Sequence, residues 1–384
     1  MSKKKKVMII AGEASGDLHG ARLVTAMQDV NPGLSFYGMG GKELAAVGVE
    51  LLFDAKRIAV VGIAEVVSVL PDIFRAQNIL KTRMKTDRPD LLILIDFPDF
   101  NFMLAKYAKN LGIPIYYYIS PQVWAWRSGR VAKMKRLVDR IGVILPFEEQ
   151  FFRENGVAAT YVGHPLLDSV KTKQNRDSFC EQHSIDPESL LIGLLPGSRK
   201  KEIASLLPVL LQTATMVQAD SKRKLVFLLP VASTLSKEEV LASGVNEFAG
   251  DLDLKLITEN RYDMMAACDA ALAVSGTVTL ELALLDTPMV VFYKVSQATY
   301  HLGRLFLNKD LEYFSLVNLV ADDAVVAELS QENVTVTNLC TELTPLFSDS
   351  PERKKMLQGL ALVRKRMGTA GASQKSAALA LSLL

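Results

Sequence analysis

Short apolar runs alternate with amphipathic stretches along almost the whole chain. The pattern predicts strands at 6–11, 34–38, 58–61, 91–96, 114–119, 141–144 and 160–162. Helices at 16–30, 41–47, 64–85, 100–111, 129–138 and 147–155 fall between them. The second half repeats the style, with strands at 191–195, 225–229, 254–257, 270–274, 289–293 and 316–319. Its helices are expected at 200–218, 235–248, 261–267, 277–285 and 296–306. Such alternation is that of βαβ units and an α/β fold with parallel sheets. The turn Gly163-His164-Pro165-Leu166-Leu167-Asp168 precedes a polar, charge-mixed segment, so a domain boundary is expected there. This gives domains 1–168 and 169–350. The end, 351–384, reads as helices broken at Gly368–Gly371, a tail expected to cross back onto the first domain.

Bulk properties narrow the class. At 384 residues, two domains are expected rather than one. Apolar residues make up 49% and charged ones 22%, the balance of a globular protein with large cores. A net charge of +2 gives no global attraction for nucleic acid, and no such partner is expected. Mean hydropathy is high at +0.19, which fits an exposed apolar surface or parallel sheets buried on both faces. Cys180, Cys268 and Cys340 are irregularly spaced with no CxxC, so neither disulfides nor a zinc site is expected. A reducing cytoplasm is the simpler compartment. Lys3 to Lys6 before Val7-Met8-Ile9-Ile10-Ala11 imitates a secretory leader, but the apolar part is too short. It reads instead as a first strand with a basic lead-in. No apolar run reaches spanning length, so membrane contact is expected only from the side.

The most informative stretch runs from Ala273 to Ala283. It reads as a buried strand, a Ser275-Gly276 turn, and a helix opening at Thr277 with Thr279 and Glu281 early in it. A helix start offers free N–H groups and a positive dipole end, a seat for phosphate. Glu281 is placed to hold a ribose hydroxyl pair. Leu195-Pro196-Gly197-Ser198-Arg199 is a second such turn. There Arg199 is placed to pair with a leaving diphosphate, and Ser198 adds a donor. A third turn, Gly12-Glu13-Ala14-Ser15-Gly16-Asp17-Leu18-His19-Gly20, follows the first strand. It is not GxGxxG, and no acid follows at the ribose-binding spacing, so a dinucleotide cofactor is not expected. A plain turn would need only Ser15 as a cap. Glu13, Asp17 and His19 are more polar chemistry than that. Several phosphate-type turns in one chain point to a nucleotide-activated substrate held between two α/β domains. Asn318 is a weaker candidate for the nucleotide.

Leu91-Leu92-Ile93-Leu94-Ile95 ends abruptly in Asp96-Phe97-Pro98-Asp99. Ligands of parallel sheets sit beyond the carboxyl ends of strands. Asp96 is at that end, and a half-dry carboxylate beside another acid has a raised pKa, which suits a general base. Asp99 reads as a helix N-cap before Phe100-Asn101. His19 is the rival base and ranks second, since a lone His is more often structural.

Ser120-Pro121-Gln122-Val123-Trp124-Ala125-Trp126-Arg127 holds both tryptophans. The loop reads as the lining of a sugar or acyl pocket, or simply as core. Arg127, Arg130, Lys133 and Arg136 form a basic stripe. It suits a substrate phosphate or anionic lipid heads, and a solvated helix face accounts for it equally well. On a helical wheel Val66, Val67, Val69, Leu70, Ile73 and Phe74 make one wide oily face, which periodicity alone assigns to core, with Pro71 breaking or restarting the helix. Asp251-Leu252-Asp253 is the one Asp-x-Asp triplet. It precedes a strand rather than following one, so no required metal is expected.

Taken together these residues resemble the lipid-A-disaccharide synthase family, bacterial glycosyltransferases of lipid A biosynthesis. The resemblance is carried by the GEASGD turn, Gly38-Met39-Gly40-Gly41, Val61-Gly62-Ile63-Ala64-Glu65, Asp96 to Asn101, Ser120 to Trp126, Leu145-Pro146-Phe147-Glu148, Val162-Gly163-His164-Pro165, Leu195 to Arg199 and Ser275 to Glu281. These run in order from about residue 11 to 320. The resemblance implies a GT-B fold, two Rossmann-like domains facing a cleft, with UDP on the C-terminal one. It implies inverting transfer of 2,3-diacylglucosamine from its UDP derivative to 2,3-diacylglucosamine 1-phosphate (lipid X), giving a β-1,6 disaccharide 1-phosphate and UDP, with no cofactor. Asp96 is then the base and Arg199 stabilises the leaving diphosphate. Ser198, Ser275, Gly276, Thr277, Thr279, Glu281 and Asn318 are expected on UDP. Gly12, Glu13, Ser15, Gly16, Asp17, His19, Asp99, Asn101, Gln122, Trp124 and Arg127 are expected on the acceptor side. Domain closure would expel water.

Family members are peripheral on the cytoplasmic face of the Gram-negative inner membrane. That turns the 66–74 face toward acyl chains or an anionic bilayer and leaves homo-oligomerisation open. The chain departs from some relatives at His19, often aliphatic there, and at Val317, where a Pro is common. A UDP-sugar 2-epimerase of the same architecture, or a nucleotide-sugar binder without catalysis, are the alternatives.

Overall fold

The structure, a computed structural model, describes residues 4–58, 63–125, 129–232, 235–248, 251–295 and 311–384, with only the backbone at 63–68. It divides into two compact units. Residues 4–168 with Thr369–Leu384 form one, and 169–295 with 311–368 form the other.

The first unit carries strands β1 (Lys6–Ala11), β2 (Ser35–Gly40), β3 (Glu50–Asp54), β4 (Leu91–Ile95), β5 (Ile115–Tyr118), β6 (Arg140–Val143) and β7 (Ala159–Tyr161). All pair in parallel, in the order β3-β2-β1-β4-β5-β6-β7. Alternate residues of one strand serve two cores. Met8 and Ile10 join the layer holding Ala76, Leu80 and Leu104, whereas Val7 and Ile9 join the layer holding Leu23, Val24 and Met27. Both faces are therefore apolar, and the strands read as unbroken runs. Helices α1 (Ala14–Val30), α2 (Lys42–Ala46), α3 (Ile63–Thr86), α4 (Pro98–Asn110), α5 (Arg130–Leu137) and α6 (Pro146–Glu154) connect them.

Several expectations need correction here. The third strand is Glu50–Asp54, not 58–61. Ile58 closes a 3-10 turn, and 59–61 lie outside the described residues, as does the helix expected at 296–306. The true strand was concealed by flanking acids, which an edge strand tolerates in solvent. Pro71 does not break α3, which runs continuously from Ile63 to Thr86. Pro71 is exposed, while Ala76, Leu80 and Met84 hold the helix to the sheet.

In the second unit, β8 (Leu190–Leu195), β9 (Leu225–Pro230), β10 (Leu254–Ile257), β11 (Ala270–Val274), β12 (Met289–Tyr293) and β13 (Ala327–Ser330) form a parallel sheet ordered β10-β9-β8-β11-β12-β13. The helices after β8 and β11 are Lys200–Asp220 and Thr277–Leu284. The segment expected as a strand at 316–319 is a helix, Leu316–Ala321, because the Ser315 side chain caps it by accepting from the Asn318 N–H. The helix expected over 235–248 is interrupted at Ser243–Gly244, where Gly244 has φ 109°.

Of the expected tail, Pro351–Met367 belongs to the second unit, where Arg353 donates to the Asp269 carbonyl at 2.6 Å. Only Ala372–Leu381 packs on the first unit, along α1. Ala377 and Ala380 enter its core, and the Ser376 hydroxyl lies 2.7 Å from that of Tyr116. Burying an unpaired charge there would be costly. Ala380→Asp is expected to lower stability by about 3 kcal/mol or more, and Ala378→Asp, at an exposed position, by less than about 0.5 kcal/mol, as read by urea unfolding.

Candidate active site

Both sheets reverse strand order at their centre, β1 against β4 and β8 against β11. Ala11 pairs with Ile95, and Leu195 with Ala273. The turns after these strands are therefore neighbours at the carboxyl edge of each sheet, where ligands of doubly wound sheets bind.

In the first unit this edge is strained. Asp96 (φ 44°), Phe97 (φ 46°) and Ile119 (φ 57°) are all left-handed without being glycine. The Asp96 N–H donates to the Ile119 carbonyl at 3.2 Å. The Asp96 carbonyl accepts from Asn101 Nδ2 at 2.7 Å and from the Tyr117 hydroxyl. Phe97 then lies over Gly12, where a Cβ would come within 2.4 Å of its ring. Strain of this kind, held in place by several bonds, is concentrated where geometry matters for function.

The turn delivers Asp96 into a cavity of about 380 Å3 shared with Ile119, Ser120, Gln122, Arg130 and Glu148. Burial, and next the Glu13 carboxylate, push Asp96 up to about 6. The neighbouring acid is thus Glu13 rather than Asp99. Burial, followed by the Arg22 guanidinium, pushes His19 down to about 4. His164, buried and beside His19, is pushed down to about 3. A base works best with its pKa near the working pH, so Asp96 outranks His19 on this ground.

Several expected acceptor-side residues are committed to the scaffold instead. Asp17 is buried, and its carboxylate accepts from the N–H groups of Gly41 (2.7 Å), Glu43 (2.9 Å) and Leu44 (3.2 Å), so it caps α2. Asn101 holds the Asp96 turn from inside the core. Asp99 is not the N-cap of α4, a position taken by Phe97; it pairs with Arg130 at 2.6 Å. Ser15 does not cap α1, whose N-cap is Glu13. Gly16 is buried within α1, and a Cβ there would stand 3.5 Å from Ile95, in ordinary contact. Trp124 is buried edge-on to Phe147, and its indole N–H donates to Glu148 Oε1 at 3.0 Å. Gln122 does reach the cavity. Trp126 and Arg127 lie outside the described residues.

Glu148 is the cavity acid that the sequence reading left without a role. Its Oε2 accepts from the N–H groups of Ile144 (3.2 Å) and Leu145 (3.0 Å). Burial still pushes it up to about 7. The signal available was its place three residues beyond Leu145, at the N3 position of α6.

In the second unit, Gly197 (φ 112°) turns the chain into the helix Lys200–Asp220. Arg199 is exposed, with Nη1 2.8 Å from Glu202 Oε1, and Ser198 beside it is exposed as well. At the second turn the Ser275 hydroxyl donates to the Phe314 carbonyl at 3.3 Å, and the exposed Thr277 opens the next helix at the N-cap Gly276. The Thr279 hydroxyl, buried, is spent on the Gly276 carbonyl at 2.8 Å. Glu281 sits almost buried, taking Arg261 Nη2 at 2.7 Å and the Tyr262 hydroxyl at 3.3 Å. Burial raises its pKa and Arg261 counters that.

Asn318 is not available to a nucleotide. Its Nδ2 donates to the Val326 carbonyl and Glu328, and its Oδ1 accepts from the Val325 and Val326 N–H groups, all at 2.9–3.0 Å. That fills the bonding capacity of the amide.

Two doubly wound sheets with ligand-type turns at both switch points define the GT-B class. The calicheamicin glycosyltransferase CalG4 shares the fold at TM-score 0.60 and 13% identity, over 100% of this chain and 99% of that one. So does a putative UDP-N-acetylglucosamine 2-epimerase from Listeria monocytogenes, at TM-score 0.62 and 14% identity, over 93% and 91%. Architecture alone thus does not separate transferase from epimerase. Sequence does. A family model described as lipid-A-disaccharide synthetase matches residues 7–381. The lipid-A-disaccharide synthase of Geobacter metallireducens is 43% identical over 99% of this chain and 97% of its own. The chain belongs to the lipid-A-disaccharide synthase family, hexosyltransferases of lipid A biosynthesis.

A carboxyl titration followed by NMR is expected to place the Asp96 midpoint near pH 6. Glu13→Gln removes a negative neighbour, which favours the ionised form, so the midpoint should fall. An unchanged midpoint would show that Glu13 does not act on Asp96.

Proposed function

We propose that this protein transfers 2,3-diacylglucosamine from UDP-2,3-diacylglucosamine to the 6-hydroxyl of 2,3-diacylglucosamine 1-phosphate, with inversion. The observation that carries the reading is Asp96, held by a strained turn in a cavity with its pKa brought near neutrality. Its carboxylate takes the 6-hydroxyl proton. The oxygen attacks the donor anomeric carbon, and the bond from that carbon to the diphosphate breaks, its electron pair leaving with UDP. Arg199, with Ser198 and the N–H groups around Ser275–Thr277, stabilises the charge that develops on the diphosphate. Glu281 takes the ribose, which requires Arg261 to share it or move aside.

The same reading puts α3 against acyl chains at an anionic surface of the inner membrane, on its cytoplasmic side. Leu70 and Phe74 are exposed, Phe74 by 61%, while Ile73 packs on the core and Val69 is half-buried. Val66 and Val67 lie on the same helix. Among the described residues no helix is long and apolar enough to cross a membrane.

Asp96→Asn is expected to lower turnover at least about 1,000-fold while UDP binding by calorimetry is retained. Near-normal turnover would end the assignment of the base. The wild-type rate should fall as pH drops through about 6, because protonated Asp96 cannot accept a proton. Leu70→Ser with Phe74→Ser should raise KM for long-chain acceptors about 10-fold and leave kcat and the melting temperature near wild type. Incubation with UDP-N-acetylglucosamine alone should yield no epimer.

A further inference from the structure

The basic stripe of the sequence comes apart in the structure. Lys133 and Arg136 stand in solvent on α5. Arg130, at the start of the same helix, is tucked in, its side chain only 16% exposed, and it lines the cavity that holds Asp96. Among the described residues lining that cavity it is the one cation. Asp99 holds it at 2.6 Å but is itself 77% exposed, so solvent screens that pair and the guanidinium keeps further donors for a second partner.

A second observation points to a ligand. Ser120 is nearly buried and lines the same cavity, yet its hydroxyl has no hydrogen-bond partner. Buried hydroxyls are rarely left so, because the lost hydration must be replaced. Of the two acids of the cavity, Glu148 is already turned onto the Trp124 indole and two backbone N–H groups, which leaves Asp96 to the acceptor hydroxyl.

We propose that Arg130, aided by the Ser120 hydroxyl, binds the phosphate of the acceptor and so makes the enzyme select a phosphorylated sugar. This rests on the transferase reading above and specifies its acceptor site. In the acceptor, the reacting hydroxyl on C6 and the phosphate on C1 flank the ring oxygen of one sugar, close enough to share a single small cavity. Asp96 and Arg130 belong to one cavity of about 380 Å3, within the rough 300–1,000 Å3 range of small-molecule sites. Guanidinium is well matched to phosphate, with two parallel N–H donors for two oxygens. Phosphate from a bilayer lipid is the other source of the same chemistry. It would meet exposed Lys133 and Arg136, on the outer face of α5, rather than the half-enclosed Arg130.

The test uses the full chain in neutral detergent micelles and two acceptors, 2,3-diacylglucosamine 1-phosphate and its dephosphorylated counterpart. Arg130→Gln is expected to lower kcat/KM for the phosphorylated acceptor about 30-fold more than for the other, with Arg130→Lys intermediate and Ser120→Ala smaller in the same direction. Equal losses on both acceptors would overturn the proposal and leave Arg130 a scaffold residue. A selective loss that appears only when anionic phospholipid vesicles replace the micelles would overturn it in favour of a lipid headgroup. Should the wild type form disaccharide from neither acceptor, the transferase reading fails, and this one with it. Disaccharide formation with an unchanged acceptor ratio in Arg130→Gln removes this one alone.

Discussion

At the carboxyl end of β4 the chain takes two left-handed steps with residues that do not favour them, Asp96 and Phe97. Such conformations cost on the order of 1–3 kcal/mol each and persist only where the surroundings insist on them. Here the insistence comes from Asn101 and Tyr117 on one carbonyl, and from the Ile119 carbonyl on the Asp96 N–H. The constraint starts α4, lays Phe97 against Gly12 and turns the Asp96 carboxyl into the cavity. A relaxed turn would carry the carboxyl away from the groups that set its pKa. The acid, its neighbour Glu13 and the cavity all follow from one held backbone.

Around that turn, electrostatics sorts residues of similar type into different work. Asp17 meets three N–H groups and is a helix cap, whereas Asp96 meets burial and a like charge and stays easy to protonate. His19 and His164 are both held neutral by burial, which fits packing better than proton transfer. In the second unit the same sorting separates exposed Arg199 from the saturated Asn318. Exposure at a strand's carboxyl end, together with an unfilled bonding capacity, marks the groups able to meet a ligand.

Much of this was legible along the chain. Unbroken apolar runs such as Leu91–Ile95 and Leu190–Leu195, alternating with amphipathic stretches, read as strands covered on both faces, and the turns after them were the places to look for ligand chemistry. Asp96 stood out because an acid following such a run lies at a strand's carboxyl end. The edge strand Glu50–Asp54 was harder, since only Leu51-Leu52-Phe53 stand between its two acids, a run too short to settle the element. Leu316–Ala321 was misjudged because a short apolar run fits strand and helix alike, and the deciding Ser315 cap is one hydroxyl.

By itself, then, the order of residues determined the class of fold, the family and the places where chemistry can occur, since these follow from local period, turn residues and a run of motifs. Only the tertiary structure decided which polar residues are at liberty there. Asp17 and Asn318 have side chains as suited to a ligand as to a scaffold. Hydrogen-bond capacity is finite, and partners brought together by folding from 24 residues away at Gly41, or 10 away at Glu328, had already filled it.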